Sequence, residues 1–467
     1  AAHAAVARVA AVVIEEWEAT GLPAGLVRLA VAEATDEAHS QLAAEFAADE
    51  RFDRALFFGT SAGARALVRR RPSLRIAAQL AARGSILVTP SADFALAARD
   101  IAASAFAGAG RDPAAARLVI LLGSVARSPR FAELLADAVR ALEVGDSAHP
   151  GEADPLAFRM GPMPAEPTDA EWAALTTLDP GEKWLVQPKP LDESGRLWSP
   201  GVRTGTQRGS AFVREYPGVP VIAVLTAHTL GEAIALQNLH GTGAVAGLHS
   251  TDPDEIGAWV DQVEAATLVV GRPTTGLRVE RQPSGGWNEA GMGAQPLAGG
   301  PSRLVPLGSW NVREGTQSST LHLRGLDLEV RLLIEAAQAS LDYDAFDRVR
   351  RAALSDALTW RTSLGLVTDR IGLGVEGNLL RYWPVASHIR VAEGAELASL
   401  VRVLAAALIV GAPFTVSTGD PLPRDIAEVL ATQGIEVSLE RDTDWLERIA
   451  ASGAPGPGVP ALRIRLI

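Results

Sequence analysis

Three stretches of this 467-residue chain carry residue types that could do chemistry. The first is 59-GTSAG-63, a literal G-x-S-x-G between an apolar strand-like run, Ala55–Phe58, and a helical pattern over 62–70. A strand–turn–helix context would let Ser61 attack an ester as an elbow nucleophile, with an acid and then a histidine later in the chain. His228, His240 and His249 follow it, and none is singled out by spacing. The same strand–glycine–helix turn also suits an anion at a helix N-terminus, as in a nucleotide site, or a plain tight turn. The second stretch is 372-GLGVEG-377, a literal G-x-G-x-x-G. It follows no clear strand and runs into Tyr382-Trp383-Pro384, so a covering loop or hairpin fits better than a dinucleotide turn. The third is 105-AFAGAGRDPAAARLVIL-121, where Arg111-Asp112-Pro113 interrupts a run of small residues before an apolar segment. Small residues allow close approach of a backbone or ligand. The 8 histidines are scattered with no H-x-x-x-H pair, so they read as surface or satisfied residues and no metal is expected.

The elements that would position these stretches alternate. Helix 5–19, strand 27–35, helix 42–48, strand 55–58, helix 62–70 and strand 85–90 imply a parallel sheet with crossovers. Helix 95–107, strand 118–122 and helix 128–142 continue the pattern, and residues 145–170 form a Pro/Gly/acid-rich excursion. Strands around 184–187, 219–225 and 267–270 and helix 230–239 come next, then a Gly/Pro-rich segment, 273–309. After a helix at 344–361, the tail reads as strand 388–391, helix 396–410, strand 414–417, helix 422–433, strand 436–440, helix 443–452 and strand 462–467. That is a small βαβαβαβ unit of its own.

Composition removes several function classes. A net charge of −12, with no basic cluster beyond Arg69-Arg70-Arg71, disfavours nucleic acid. With Cys 0, disulfides, thiolate zinc sites and a thiol nucleophile are excluded from this chain. No apolar run reaches the ~18–20 residues of a membrane span. The N-terminal stretch lacks a basic n-region and reads as an amphipathic helix, not a secretory signal. A cytoplasmic protein fits these features.

Taken in order, 118-LVILLGSVARSPRF-131, 176-TTLDPGEKWLVQPKPLDESGRLWSPGVRTG-205, 244-AVAGLHSTDPDEIGAWVDQV-263 and 273-PTTGLRVERQPSGGW-287 resemble the aldehyde dehydrogenase superfamily. More narrowly they resemble the L-glutamate γ-semialdehyde (Δ1-pyrroline-5-carboxylate) dehydrogenase half of long bifunctional proline utilization A proteins. The segment 374-GVEGNLLRYWPV-385 and the tail are similar to their C-terminal extension. The resemblance implies an α/β fold in three parts. Residues 1–80 would be a partial Rossmann-type nucleotide-binding domain, 81–310 the catalytic-type domain, and 311–467 a linker helix with a small Rossmann-like extension. It implies NAD as cofactor and a homo-oligomer. It also implies an upstream FAD-dependent proline dehydrogenase half, with the first strands of the nucleotide domain lying before residue 1.

Chemistry in the family uses a cysteine thiolate that adds to the aldehyde, hydride transfer to NAD, and a glutamate that activates water. By the resemblance, the family's Gly-Gln-Lys-Cys-Ser is here Gly110-Arg111-Asp112-Pro113-Ala114, which places Pro113 at the nucleophile and Ala114 at a substrate-binding serine. The general-base glutamate matches Gln79. Gly59 matches the glycine beneath the pyrophosphate and Glu215 the ribose-binding glutamate. Thr275 and Gly276 belong to the loop that holds the substrate carboxylate. Leu277 narrows that pocket, and Ser284 replaces an aromatic residue over the site. The expectation is a family fold with a disabled site and a structural or lid role. The alternatives are an active NAD-dependent dehydrogenase as part of a longer bifunctional chain, and a serine hydrolase using Ser61.

Overall fold

The computed structural model describes residues 4–31, 36–81, 83–146, 158–215, 218–278, 281–293, 307–311, 321–452 and 463–467. Two compact units emerge: one of residues 1–276, 285–297 and 301–308, the other of 277–284, 298–300 and 309–467.

The first unit contains two sheets. The smaller has strand Arg75–Leu80 between Arg54–Gly59, which runs parallel to it, and Gly291–Gly293, which runs antiparallel. Helix Ser61–Arg70 lays Ala64 against Phe57, Ile76 and Ala78 of this sheet. Strand Arg75–Leu80 was not anticipated: RIAAQL is alanine-rich and has no strong strand former beyond Ile76. The strand expected over 27–35 is absent from residues 27–31, and 32–35 lie outside the described residues. Leu26, Leu29 and Val31 are exposed there, so alternation alone did not make a strand without a neighbour to pair with and a face to bury.

The larger sheet has seven strands in the order Lys183–Val186, Gly201–Thr204, Val221–Ala227, Ala116–Leu122, Gly84–Val88, Val245–His249, Thr267–Val270. All are parallel except the first, which pairs antiparallel with its neighbour. The central strands are continuous apolar runs because helices cover both faces. Ile86, Leu87, Val88, Val119 and Ile120 are fully enclosed. Helix Phe94–Ala105 starts at Asp93, whose carboxylate accepts N–H bonds from Ala95 and Leu96. Helix Pro129–Arg140 starts at Ser128 with proline in its first turn.

In the second unit, strands Val437–Leu439, Phe414–Thr418, Ser387–Val391 and Arg463–Leu466 form a parallel sheet in that spatial order. The tail reading therefore holds, element by element. Helix Leu397–Val410 ends on Gly411 at φ 66°, the left-handed cap a glycine supplies without strain. The G-x-G-x-x-G stretch sits in a hairpin closed by Thr368–Asp369 and Leu379–Leu380. Its Glu376 binds Arg281, Gln282 and Asn378, and no helix follows it. No helix among the described residues is long and apolar enough to cross a membrane.

Candidate functional site

The small-residue run is where three distant segments of the first unit meet. Helix Phe94–Ala105 ends at Phe106, and the chain then passes through three consecutive left-handed residues: Gly108 (φ 57°), Ala109 (φ 54°) and Gly110 (φ 78°). Gly110 faces the 218–220 segment so closely that a Cβ on it would lie 2.4 Å from the Val219 carbonyl oxygen. That contact explains why the position holds glycine. Arg111 follows. Its Nε donates to the Gly218 carbonyl at 2.8 Å, and its Nη2 pairs with Glu171.

The proline has a structural answer as well. Asp112 Oδ1 accepts the Ala114 N–H at 2.7 Å, and the Asp112 carbonyl accepts the Ala115 N–H at 2.9 Å. Aspartate first and proline second is the pattern of a β-turn with an Asx cap. The turn exposes Pro113 and delivers the chain into buried strand Ala116–Leu122.

The loop at 274–276 closes on the same turn. Thr274 is fully buried, its N–H donates to Ser104 Oγ at 2.9 Å, and its hydroxyl donates to the Ala114 carbonyl at 2.7 Å. The Thr275 hydroxyl reaches the Ala103 carbonyl at 3.3 Å, and Gly276 turns the chain at φ 74°. Pro113, Ala114, Thr275 and Gly276 thus share one neighbourhood, joined from the other side by Gly218–Val219.

The other anticipated residues belong to other elements. Gln79 pairs in register with Phe58 and Gly291, its side chain is exposed, and no hydrogen bond among the described residues links it to 106–114. Glu215 ends helix Ala211–Glu215 and is exposed. Leu277 and Ser284 belong to the second unit, where both are half-buried.

Gly59 closes strand Arg54–Gly59, and Thr60 caps the following helix by accepting the Gly63 N–H. The two glycines of G-x-S-x-G sit over the Phe57 ring, with virtual Cβ distances of 2.8 and 3.0 Å to its Cζ. Ser61 is an ordinary first helical residue. Among the described residues, the left-handed non-glycine positions are Ala109 and Asn288, and no histidine is hydrogen-bonded to Ser61. The strained elbow that the hydrolase reading requires is therefore not formed.

Two electrostatic features escaped the sequence. Arg117, one residue into the strand beyond the turn, is brought down to about 10 by burial and by the neighbouring Arg111 and Arg83 charges. At the far end of the sheet, Asp100 and His249 are buried with Oδ2 and Nε2 3.8 Å apart. Burial raises Asp100 and lowers His249 to about 4. An Asp-Pro pair ahead of a strand is a legible turn signal. The partners of Arg111 and His249 come from far along the chain and carry no such signal.

Comparison with known proteins agrees with this architecture. The aldehyde dehydrogenase family profile matches residues 3–302. The structure of Proline Utilization A from Corynebacterium freiburgense is similar at 33% identity and a TM-score of 0.76, over 93% of this chain and 44% of that one. The 2,5-dioxopentanoate dehydrogenase of Saccharolobus solfataricus is 26% identical over 60% of this chain and 56% of its own length. The 1-pyrroline-5-carboxylate dehydrogenase of Bacillus mycoides is 26% identical over 50% of this chain and 43% of its own. The chain spans about half the length of the curated relatives it matches. It belongs to the aldehyde dehydrogenase family.

Proposed function

We propose that this chain is an aldehyde dehydrogenase module of proline catabolism whose own dehydrogenase site does not turn over, and that its role is as scaffold, lid or assembly partner. One observation carries the reading: the position matched to the nucleophile is Pro113, at the exposed tip of a turn closed by Asp112. Proline offers neither a nucleophilic atom nor a backbone N–H. Ala114 has no hydroxyl, and its N–H is committed to Asp112. Gln79 carries an amide that does not accept a proton near neutral pH. Nucleophile and base act as a unit, so either change alone removes orders of magnitude in rate.

Similarity to a 1-pyrroline-5-carboxylate dehydrogenase and to Proline Utilization A supports L-glutamate γ-semialdehyde as the substrate class of the ancestral site. In this reading residues 1–80, 81–310 and 311–467 are the nucleotide-type domain, the catalytic-type domain and the extension. The chain works in the cytoplasm as a homo-oligomer beside an FAD-dependent proline dehydrogenase half.

NAD is the coenzyme the family implies, and the residues fit it on one side only. Gly59, Thr60 and helix Ser61–Arg70 form a turn suited to a pyrophosphate. On the nicotinamide side, the Gly218 carbonyl that follows Glu215 is engaged by Arg111. The set as a whole does not fit NAD.

The test is NADH production from L-glutamate γ-semialdehyde by the purified chain. No turnover above background is expected. Turnover near that of ordinary family members would overturn the reading.

A further inference from the structure

The Arg111 bridge has more structure than a surface ion pair. Its near end holds the Gly218 carbonyl at 2.8 Å. Its far end, Glu171, is itself fixed: the second carboxylate oxygen accepts the Thr168 N–H at 2.9 Å and the Thr168 hydroxyl at 3.1 Å, a capping box that opens helix Asp169–Thr176. The Glu171 side chain is 14% exposed and that of Arg111 34%, so the pair is partly shielded from solvent. Beside it, Gly110 is pressed on Val219 and the Asp112 turn is closed. The guanidinium therefore ties three separately anchored segments, 110–114, 168–171 and 218–219, with the planar fork that suits Arg and not Lys.

We propose that Arg111 is an internal strap that, by bridging Gly218 to Glu171, holds Gly218–Val219 against the Pro113 turn and closes the nicotinamide end of the cleft to coenzyme. The inference rests on the reading above for where the coenzyme would lie. It goes beyond that reading because a lost nucleophile alone would leave coenzyme binding intact. Glu215 is exposed at its helix end, and Gly218 is bonded to Arg111.

The experiment uses the full chain without aldehyde: wild type, Arg111→Gln, Glu171→Gln and Arg111→Lys. Calorimetric titration with NAD is paired with amide exchange at Gly218–Val221. Wild type is expected to give no binding heat up to ~1 mM NAD, and the two glutamine variants to bind at least ~10-fold more tightly. Their amides at Val219 and Val221 should exchange ~10-fold faster as the strap opens. Arg111→Lys retains the charge and keeps the test alive if a glutamine variant fails to fold; its binding should fall between the two. Wild type that binds NAD as well as the variants overturns the strap, and so do variants that exchange faster yet still bind no NAD. Either outcome leaves the proposed function standing, because that reading fails only on turnover.

Discussion

Asp112 and Ala114 are joined across Pro113, carboxylate oxygen to backbone N–H at 2.7 Å. The bond shapes what any side chain at 113 can be. The nearest cation along the chain, Arg111, is engaged by Glu171 and Gly218, and Gln79 is not hydrogen-bonded to the turn. A thiol introduced by Pro113→Cys would therefore lack the neighbours that lower a thiol pKa. Its iodoacetamide labelling should rise with a midpoint near ~8.5, the value of an ordinary cysteine. A midpoint below ~7 would mean that the turn activates a thiolate.

The left-handed stretch stores strain at one residue and avoids it at another. Ala109 adopts φ 54° with a Cβ present, so Ala109→Gly should stabilise the chain by about 1 kcal/mol in urea unfolding. Gly110→Ala should do the reverse and cost about 3 kcal/mol or more, because a Cβ there would meet the Val219 oxygen at 2.4 Å at φ 78°. Equal and small effects at both positions would mean that the loop relaxes freely.

Thr274 links the 274–276 loop to the turn through one buried hydroxyl. Thr274→Val preserves shape and removes the donor to the Ala114 carbonyl. A buried acceptor left without its partner costs about 1–3 kcal/mol. Thr275→Val, whose hydroxyl makes a longer 3.3 Å bond from a half-buried position, should cost less than ~1 kcal/mol. Comparing the two midpoints separates a structural tie from a surface contact.

How legible this was in the sequence depended on where the information lay. Ala116–Leu122 announced itself as an apolar run between helical patterns, since covering helices make a parallel strand apolar throughout; the extension's strands, SHIRV, FTVST, VSL and RIRL, were marked instead by their regular alternation with helical stretches. The 27–35 run carried the same signal and formed no strand over 27–31, because pairing and cover are tertiary facts. At the site, glycine at 110 was readable as close approach, but not that Val219 is what approaches. The Asp-Pro turn was local and in principle readable. Arg111 bridging Glu171 to Gly218 joins residues from three parts of the chain, and no spacing rule connects them.

The pH dependence of stability follows from histidines kept neutral by burial. His249 is lowered from its ordinary 6.5 to about 4 by burial. His240 is lowered to about 4 by burial and by the Arg83 and Arg208 charges. Between those pH values the unfolded chain takes up protons at both residues while the folded chain does not. Stability therefore falls as pH drops through the window, by up to ~1.4 kcal/mol per pH unit for each histidine. Asp100 acts in the opposite sense: raised by burial, it holds a proton in the folded state that the unfolded chain has released above its ordinary 3.8. One carboxyl against these two histidines and His388, which burial also lowers, leaves stability increasing with pH. Glu376 and Glu440, lowered to about 2 by their arginine partners, lose their contribution only as pH falls from 4.5 toward that value, below most of the histidine window. Urea midpoints measured across the histidine window should therefore rise with pH, and His249→Gln should flatten the slope by ~1.4 kcal/mol per unit. An unchanged slope would show that His249 is protonated in the folded chain, paired with an ionised Asp100 across their 3.8 Å gap.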